Sequence, residues 1–206
     1  MNYMKMVISI LYHPFVTFRQ IKENREKIHL TVVLLIVLLA IAIRFTYIYT
    51  VHFPLSTLMP RDANLWIEFF IILLPVLLWS VSCFMITSVL GGESTLIEIL
   101  TATACCLAPY ILFTLPLSAL SQILTRQELA FFTAAQNLVY LWIGILLFIS
   151  VKALNNYTMK ETIFICILNI FAMGLTSVTA LLIYMLVGNL GRFVHSVYQE
   201  IIMLFH

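Results

Sequence analysis

Residues 30–49 read LTVVLLIVLLAIAIRFTYIY, a run of twenty residues in which Arg44 is the only charged member. An α-helix rises about 1.5 Å per residue, so about 20 apolar residues cross the roughly 30 Å hydrocarbon core of a bilayer. Lipid offers no partner to an unpaired backbone N–H or C=O, and a single spanning segment must therefore be helical. The run predicts a transmembrane helix.

Four further runs of similar character follow, at residues 65–90, 95–124, 130–151 and 162–190. Of the 206 residues 63% are hydrophobic and only 10% are charged, whereas a soluble domain carries about 25% charged residues. A chain of this length could not bury this much apolar surface away from water, whereas lipid solvates it directly. The predicted fold is all-α: a polytopic membrane protein with a five-transmembrane-helix bundle and amphipathic helices at its amino and carboxy ends.

The chain divides into three predicted segments: residues 1–27, an amphipathic segment at the cytoplasmic interface; residues 28–190, the transmembrane domain; and residues 191–206, an amphipathic interfacial helix. The first and last segments combine apolar residues at helical spacing with basic and polar ones, which is typical of helices in the membrane interface. Predicted breaks between elements lie at His13-Pro14, His52 to Asp62, Gly91-Gly92, Ser121 to Glu128 and Asn155-Asn156, with the last helix starting after Gly188 and Gly191.

Lysine and arginine indicate the orientation of the chain. An amino terminus in the cytoplasm places seven of these residues inside and four outside, and five of the seven precede the first span. The positive-inside rule therefore favours a cytoplasmic amino terminus and an external carboxy terminus. The first apolar run, Met6 to Tyr12, is too short for a cleavable signal peptide, so we expect the first span to direct insertion.

The third run contains two prolines, Pro109 and Pro116, each of which removes a backbone donor. It is either a kinked packing helix or a broken helix that lines a substrate path. Small and polar residues here and in later spans are candidates for helix packing or path lining: Ala104, Ala108, Pro109, Tyr110, Asn137, Asn169 and Gly174. Gly91 and Gly92 are the candidate turn.

The few ionisable residues near the spans, Arg44, Glu68 and Glu98, are expected to reach the headgroups. Four cysteines lie within apolar stretches and are interpreted as packing residues. The sequence has no metal-binding, phosphate-binding or nucleophile motif, so no enzyme activity, metal or cofactor is predicted. A scattered net charge of +2 gives no indication of nucleic-acid binding.

The order of these features resembles the Yip family of small membrane proteins, the Ypt/Rab-GTPase-interacting type, in its short bacterial form. The resemblance is carried by His13-Pro14 with Phe18 and Ile21, Gly91-Gly92 with Leu100, Ala108-Pro109-Tyr110, Trp142, and the turn from Lys152 to Lys160 with Tyr157. It implies a five-helix bundle with a cytoplasmic amino terminus. Eukaryotic members act in Golgi and endoplasmic-reticulum trafficking with small GTPases. This chain lacks their long cytoplasmic amino-terminal domain, which argues against GTPase binding and favours a prokaryotic plasma membrane.

Two functions are compatible with the sequence. The favoured one is a non-enzymatic scaffold or adaptor that lies in the bilayer and binds other membrane proteins or a second copy of itself. The alternative is a small permease or an accessory subunit of a transporter, which the prolines of the third run would suit.

Overall fold

The computed structural model describes residues 9–23, 30–51 and 63–204, with side chains as far as Phe193 and at Ser196. Its α-helices are α1 Pro14–Glu23, α2 Leu30–Thr50, α3 Leu65–Val89, α4 Leu96–Cys105, α5 Ala108–Leu120, α6 Leu129–Asn155 and α7 Met159–Leu204. A 3-10 turn, Arg126–Glu128, precedes α6. The start of the predicted interfacial segment, the predicted loop from His52 to Asp62 and the last two residues lie outside the described residues.

Five helical spans in the described ranges are long and apolar enough to cross a membrane. They are α2, α3, α4 together with α5, α6 with its preceding turn, and α7 as far as Phe193. The predicted all-α fold with five spans is therefore confirmed. Below, α4 and α5 together are called the third span.

The third span forms the centre of the bundle. It contacts α1, α2, α3 and α6, whereas α7 packs chiefly against α3 and α6 among the described helices. In the most apolar stretch of the third span 61% of the residues are buried, compared with 44% in that of α2 and none in that of α7. The core thus surrounds the third span, and α7 lies at the periphery.

The third span, whose sequence predicts either a kink or a break, is interrupted. Helix α4 ends at Cys105 and α5 starts at Ala108, and the Leu107 N–H bonds the Ala104 carbonyl at 3.1 Å in a tighter, 3-10-type turn. Pro109 then lies in the first turn of α5, where its missing N–H leaves no helical bond unmade. Pro116 and Pro75 lie inside α5 and α3 without ending either helix.

The separate carboxy-terminal helix predicted from residue 191 is absent, because α7 continues from Met159 to Leu204 as one helix of 46 residues. Gly188 and Gly191, which predict a break in the sequence, lie inside this helix. A glycine lowers helix propensity by about 1 kcal/mol without removing a hydrogen bond, and apolar surroundings favour keeping every backbone bond.

Helix α1 packs against the bundle, chiefly α6 and also α4. It begins at Pro14, as the His13-Pro14 break predicts, and the Thr17 hydroxyl donates to the His13 carbonyl at 2.9 Å. Phe18 and Ile21 are fully buried. The described part of the amino-terminal segment is therefore docked on protein through its apolar face.

Candidate functional site

A buried ion pair joins α2 to α3. The Arg44 Nε donates to the Glu68 Oε2 at 2.8 Å. The side chains of Arg44 and Glu68 are 17% and 4% exposed. Both are expected to lie at headgroup depth, and within the bundle they pair with each other. A charge in the interior of a bundle is stable only when paired, and this pair meets that condition.

Polar and aromatic side chains surround the pair. The Arg44 guanidinium lies 5.6 Å from the ring centroid of Tyr47, within cation–π distance. The Gln136 amide of α6 donates to the Tyr47 hydroxyl. Tyr110 and Tyr140 also line the small cavity beside Arg44. Four spans therefore contribute to one polar cluster: α2, α3, α5 and α6.

A lateral groove of about 260 Å³ opens beside this cluster. Its walls come from α3 and α6, and its floor comes from α2 and the third span. Most of the lining is apolar, and Arg44, Tyr110 and Tyr140 supply its polar end; the other lining residues are Ile71, Ile72, Pro75, Val76, Leu107 and Ile143. We call this cleft the α3–α6 groove.

A second polar cluster fastens the turns at the opposite end of the bundle. The Ser94 hydroxyl donates to the Asn155 Oδ1 at 2.8 Å, and the Ser94 N–H points to the same oxygen at 3.3 Å. The Asn155 amide nitrogen donates to the Val151 carbonyl at 3.3 Å. The turn between α3 and α4 is thereby joined to the carboxy end of α6, where Asn156 adopts a left-handed conformation with φ 55°.

An exposed ion pair connects α1 to the same end. The Lys22 ammonium lies 2.7 Å from the Glu93 carboxylate, and their hydrogen bond lowers the pKa of the Glu93 carboxyl. Nearby, burial raises the pKa of the Tyr157 phenol. Both groups lie in connections between the spans.

The family model of the Yip1 domain matches residues 8–191. The chain belongs to the Yip family. No curated protein and no solved structure matches it. The match covers every motif on which the resemblance was based, so the five spans, the polar cluster at Arg44 and the turn cluster at Asn155 are all parts of this chain's Yip1 domain.

The predicted packing residues of the third span lie in the core of the Yip1 domain. Ala104 and Ala108 are fully inaccessible, Pro109 is buried, and Tyr110 is 7% exposed. These residues are candidates for helix packing or for lining a path, and the contacts of α4 and α5 with neighbouring helices favour packing. Tyr110 also lines the α3–α6 groove, so it contributes to the cluster as well.

Asn137 and Gly174 are not packed within the chain. Asn137 lies on the exposed side of α6, and a Cβ added to Gly174 would meet no atom within 4 Å. Asn169 on α7 is fully buried, and neither its amide oxygen nor its amide nitrogen has a hydrogen-bond partner among the described residues. Neither candidate asparagine therefore forms an interhelical side-chain hydrogen bond within the described residues.

Gly91 and Gly92 form the predicted turn and differ in their roles. Gly91 has φ 75°, a conformation that glycine adopts without strain. A Cβ on Gly92 would lie 2.6 Å from the Asn155 Oδ1 and 2.7 Å from the Tyr157 hydroxyl. Position 92 thus requires glycine, because the α6–α7 connection lies too close to leave room for a Cβ.

The pairing of Arg44 with Glu68 was not predicted from the sequence, although a signal for it is present. Successive spans run antiparallel, so a residue near the end of the first lies level with one near the start of the second. Arg44 is six residues from the end of α2 and Glu68 is the fourth residue of α3. Opposite charges at matched depth on neighbouring spans predict an ion pair.

Proposed function

We propose that this Yip-family protein is a non-enzymatic membrane scaffold that binds a partner helix along the part of α7 that follows Asn169. The observation that carries the proposal is the exposure of this helix: after Asn169, none of its described side chains is buried. Leu175, Leu182 and Leu186 are 57%, 61% and 70% exposed. The other spans bury part of their apolar stretches against one another.

The composition of α7 favours a helix as the occupant of this surface. Small residues let two helices approach closely in a membrane, and Gly174 and Ser177 are one turn apart. The space at Gly174 is open within the chain. The hydroxyl of Ser177 bonds the carbonyl of Met173 in its own helix, so a partner can pack there without leaving this hydroxyl unsatisfied.

Site-specific photo-crosslinking in living cells tests this proposal. A photoreactive amino acid at Leu175 or Leu182 should give discrete adducts of higher mass. The same amino acid at Leu38, which is 50% exposed on α2, is the matched control and should give none. Two differently tagged copies of the chain distinguish self-association from a different partner.

A glycine replacement sharpens the test. Gly174→Leu should abolish the adducts because it fills the approach surface. Gly144→Leu on α6 is the control, since a Cβ at Gly144 also meets no atom within 4 Å. Adducts that are equal at Leu38 and on α7, or that survive Gly174→Leu unchanged, would contradict the scaffold proposal.

The second candidate is a small permease or an accessory subunit of a transporter. The interruption of the third span favours it, because broken helices in transporters expose backbone groups to substrates. It ranks lower because Ala104, Cys105, Cys106 and Ala108 at the interruption are all fully buried. Solute flux into liposomes that contain the purified chain, and its loss on Pro109→Ala, would support the permease instead.

A further inference from the structure

The α3–α6 groove has the character of a lipid site, and nothing in the scaffold proposal uses it. We propose that it binds a neutral lipid with hydroxyl and ester groups, of the diacylglycerol class. The acyl chain would lie between α3 and α6, with the hydroxyl and ester oxygens at Arg44, Tyr110 and Tyr140. This site involves different helices from the partner surface on α7.

The shape and lining of the groove fit an acyl chain. Ile71 and Tyr140 at its rims are 48% and 53% exposed, so the groove opens sideways toward the bilayer and not only at its ends. A volume of about 260 Å³ approaches the lower limit of typical ligand pockets. Aliphatic side chains from α3 and α6 form the walls, and lipid reaches them without crossing water.

The polar end supplies hydrogen-bond donors in an apolar environment. A guanidinium has five N–H donors, and the bond to Glu68 uses the one on Nε. The other four donors belong to the two terminal nitrogens of Arg44, which lines the groove, and Tyr110 already shares a side-chain hydrogen bond with Arg44. The tyrosine hydroxyls can donate or accept. Ester carbonyls and a free hydroxyl match this set, because together they accept several bonds and donate one.

Charge determines the class of lipid. Glu68 already balances Arg44 at 2.8 Å, so the polar end is neutral as a unit. A phosphate would add a negative charge near the buried Glu68 carboxylate, and the only cation among the residues that line the groove, Arg44, is already neutralised by Glu68. An uncompensated charge of this kind is costly in a low-dielectric site. A neutral headgroup avoids this cost.

Native mass spectrometry of the purified full-length chain in dodecyl maltoside tests the site. The probes are 1,2-dioleoylglycerol and dioleoyl phosphatidic acid, which share acyl chains and differ by the phosphate. The expected result is one retained dioleoylglycerol per chain, with an affinity about tenfold or more above that for the phosphatidic acid, which corresponds to about 1.4 kcal/mol.

Two tryptophan variants on α3 identify the location. Ile71→Trp fills the groove and should reduce dioleoylglycerol retention about tenfold or more, a change of about 1.4 kcal/mol. Leu77→Trp is the matched control, since Leu77 is 41% exposed on the same helix and does not line the groove. Tyr140→Phe keeps the ring, removes the hydroxyl and should weaken retention about threefold to tenfold.

Equal or tighter binding of the phosphatidic acid would overturn the assignment to a neutral lipid. The same effect of Ile71→Trp and Leu77→Trp would overturn the location. Because the measurement uses the purified chain alone, its outcome is independent of the crosslinking result on α7.

Discussion

Removing one member of the Arg44–Glu68 pair should destabilise the bundle far more than removing both. Arg44→Met leaves the Glu68 carboxylate, which belongs to a residue only 3% exposed, without its cationic partner. The loss of one member of a buried pair costs about 3–5 kcal/mol. The variant should therefore unfold at a clearly lower temperature, or fail to accumulate in the membrane.

The double variant Arg44→Met with Glu68→Met removes both charges and keeps similar side-chain volume. Replacing a buried pair by apolar residues is often neutral or stabilising, so the double variant should recover most of the loss. Arg19→Met is the surface control: Arg19 lies 3.4 Å from Glu23 and both side chains are 63% exposed, so it should change stability by less than about 1 kcal/mol.

Thermal unfolding in detergent, followed by the fluorescence of the native tryptophans, measures all five proteins: wild type, Arg44→Met, Glu68→Met, the double variant and Arg19→Met. The coupling between the two sites follows from the cycle of wild type, two single variants and the double variant. Two results would refute the view that Glu68 depends on Arg44. One is a double variant whose loss of stability equals the sum of the losses of both single variants. The other is an Arg44→Met variant as stable as Arg19→Met.

Three further predictions concern the opposite end of the bundle. Gly92→Ala should lower stability by about 1–3 kcal/mol, because its Cβ would lie 2.6 Å from the Asn155 oxygen, whereas Gly144→Ala meets open space; equal unfolding temperatures would contradict this. Asn155→Ala leaves two donors of the α3–α4 turn without their acceptor and should cost about 1–3 kcal/mol in the same assay, and a change within error would exclude a structural role for these bonds. Lys22→Gln should increase proteolysis near α1, most clearly at low salt. The bond from Lys22 lowers the pKa of Glu93 in the folded chain from its ordinary 4.5, so the difference between wild type and Lys22→Gln should be full above that value and vanish as the pH falls through the lowered one; a constant difference from pH 7 to pH 3 would contradict the ion pair.

The spans could be predicted from the sequence because one physical requirement dominates them. A run of about 20 apolar residues has few alternatives to a helix in lipid. The predicted first run, residues 30–49, differs by one residue from Leu30–Thr50, and the second, 65–90, differs by one from Leu65–Val89. The turn at Gly91-Gly92 was predicted from its two glycines, which favour turns.

Features that depend on contacts between spans were harder to predict. Apolar periodicity carries no information on which helix lies beside which, so the pairing of Arg44 with Glu68 and of Ser94 with Asn155 was missed. Residue type and depth in a span do not show which face of the helix a residue occupies, and neither Asn137 nor Gly174 packs within the described chain. The proline rule located the irregularity of the third span, but the interruption lies at Cys106 and Leu107, because Pro109 fits the first turn of the next helix.

The bond from Ser94 to Asn155 has a mechanical consequence. It ties the α3–α4 hairpin to the α6–α7 hairpin at one end, while the α3–α6 groove lies toward the other. If the groove widens, α3 and α6 separate at the groove while their ends near Ser94 and Asn155 remain joined. A small change in the angle between α3 and α6 at the joined end gives a larger separation of the two helices near Ile71, which lies several helical turns away.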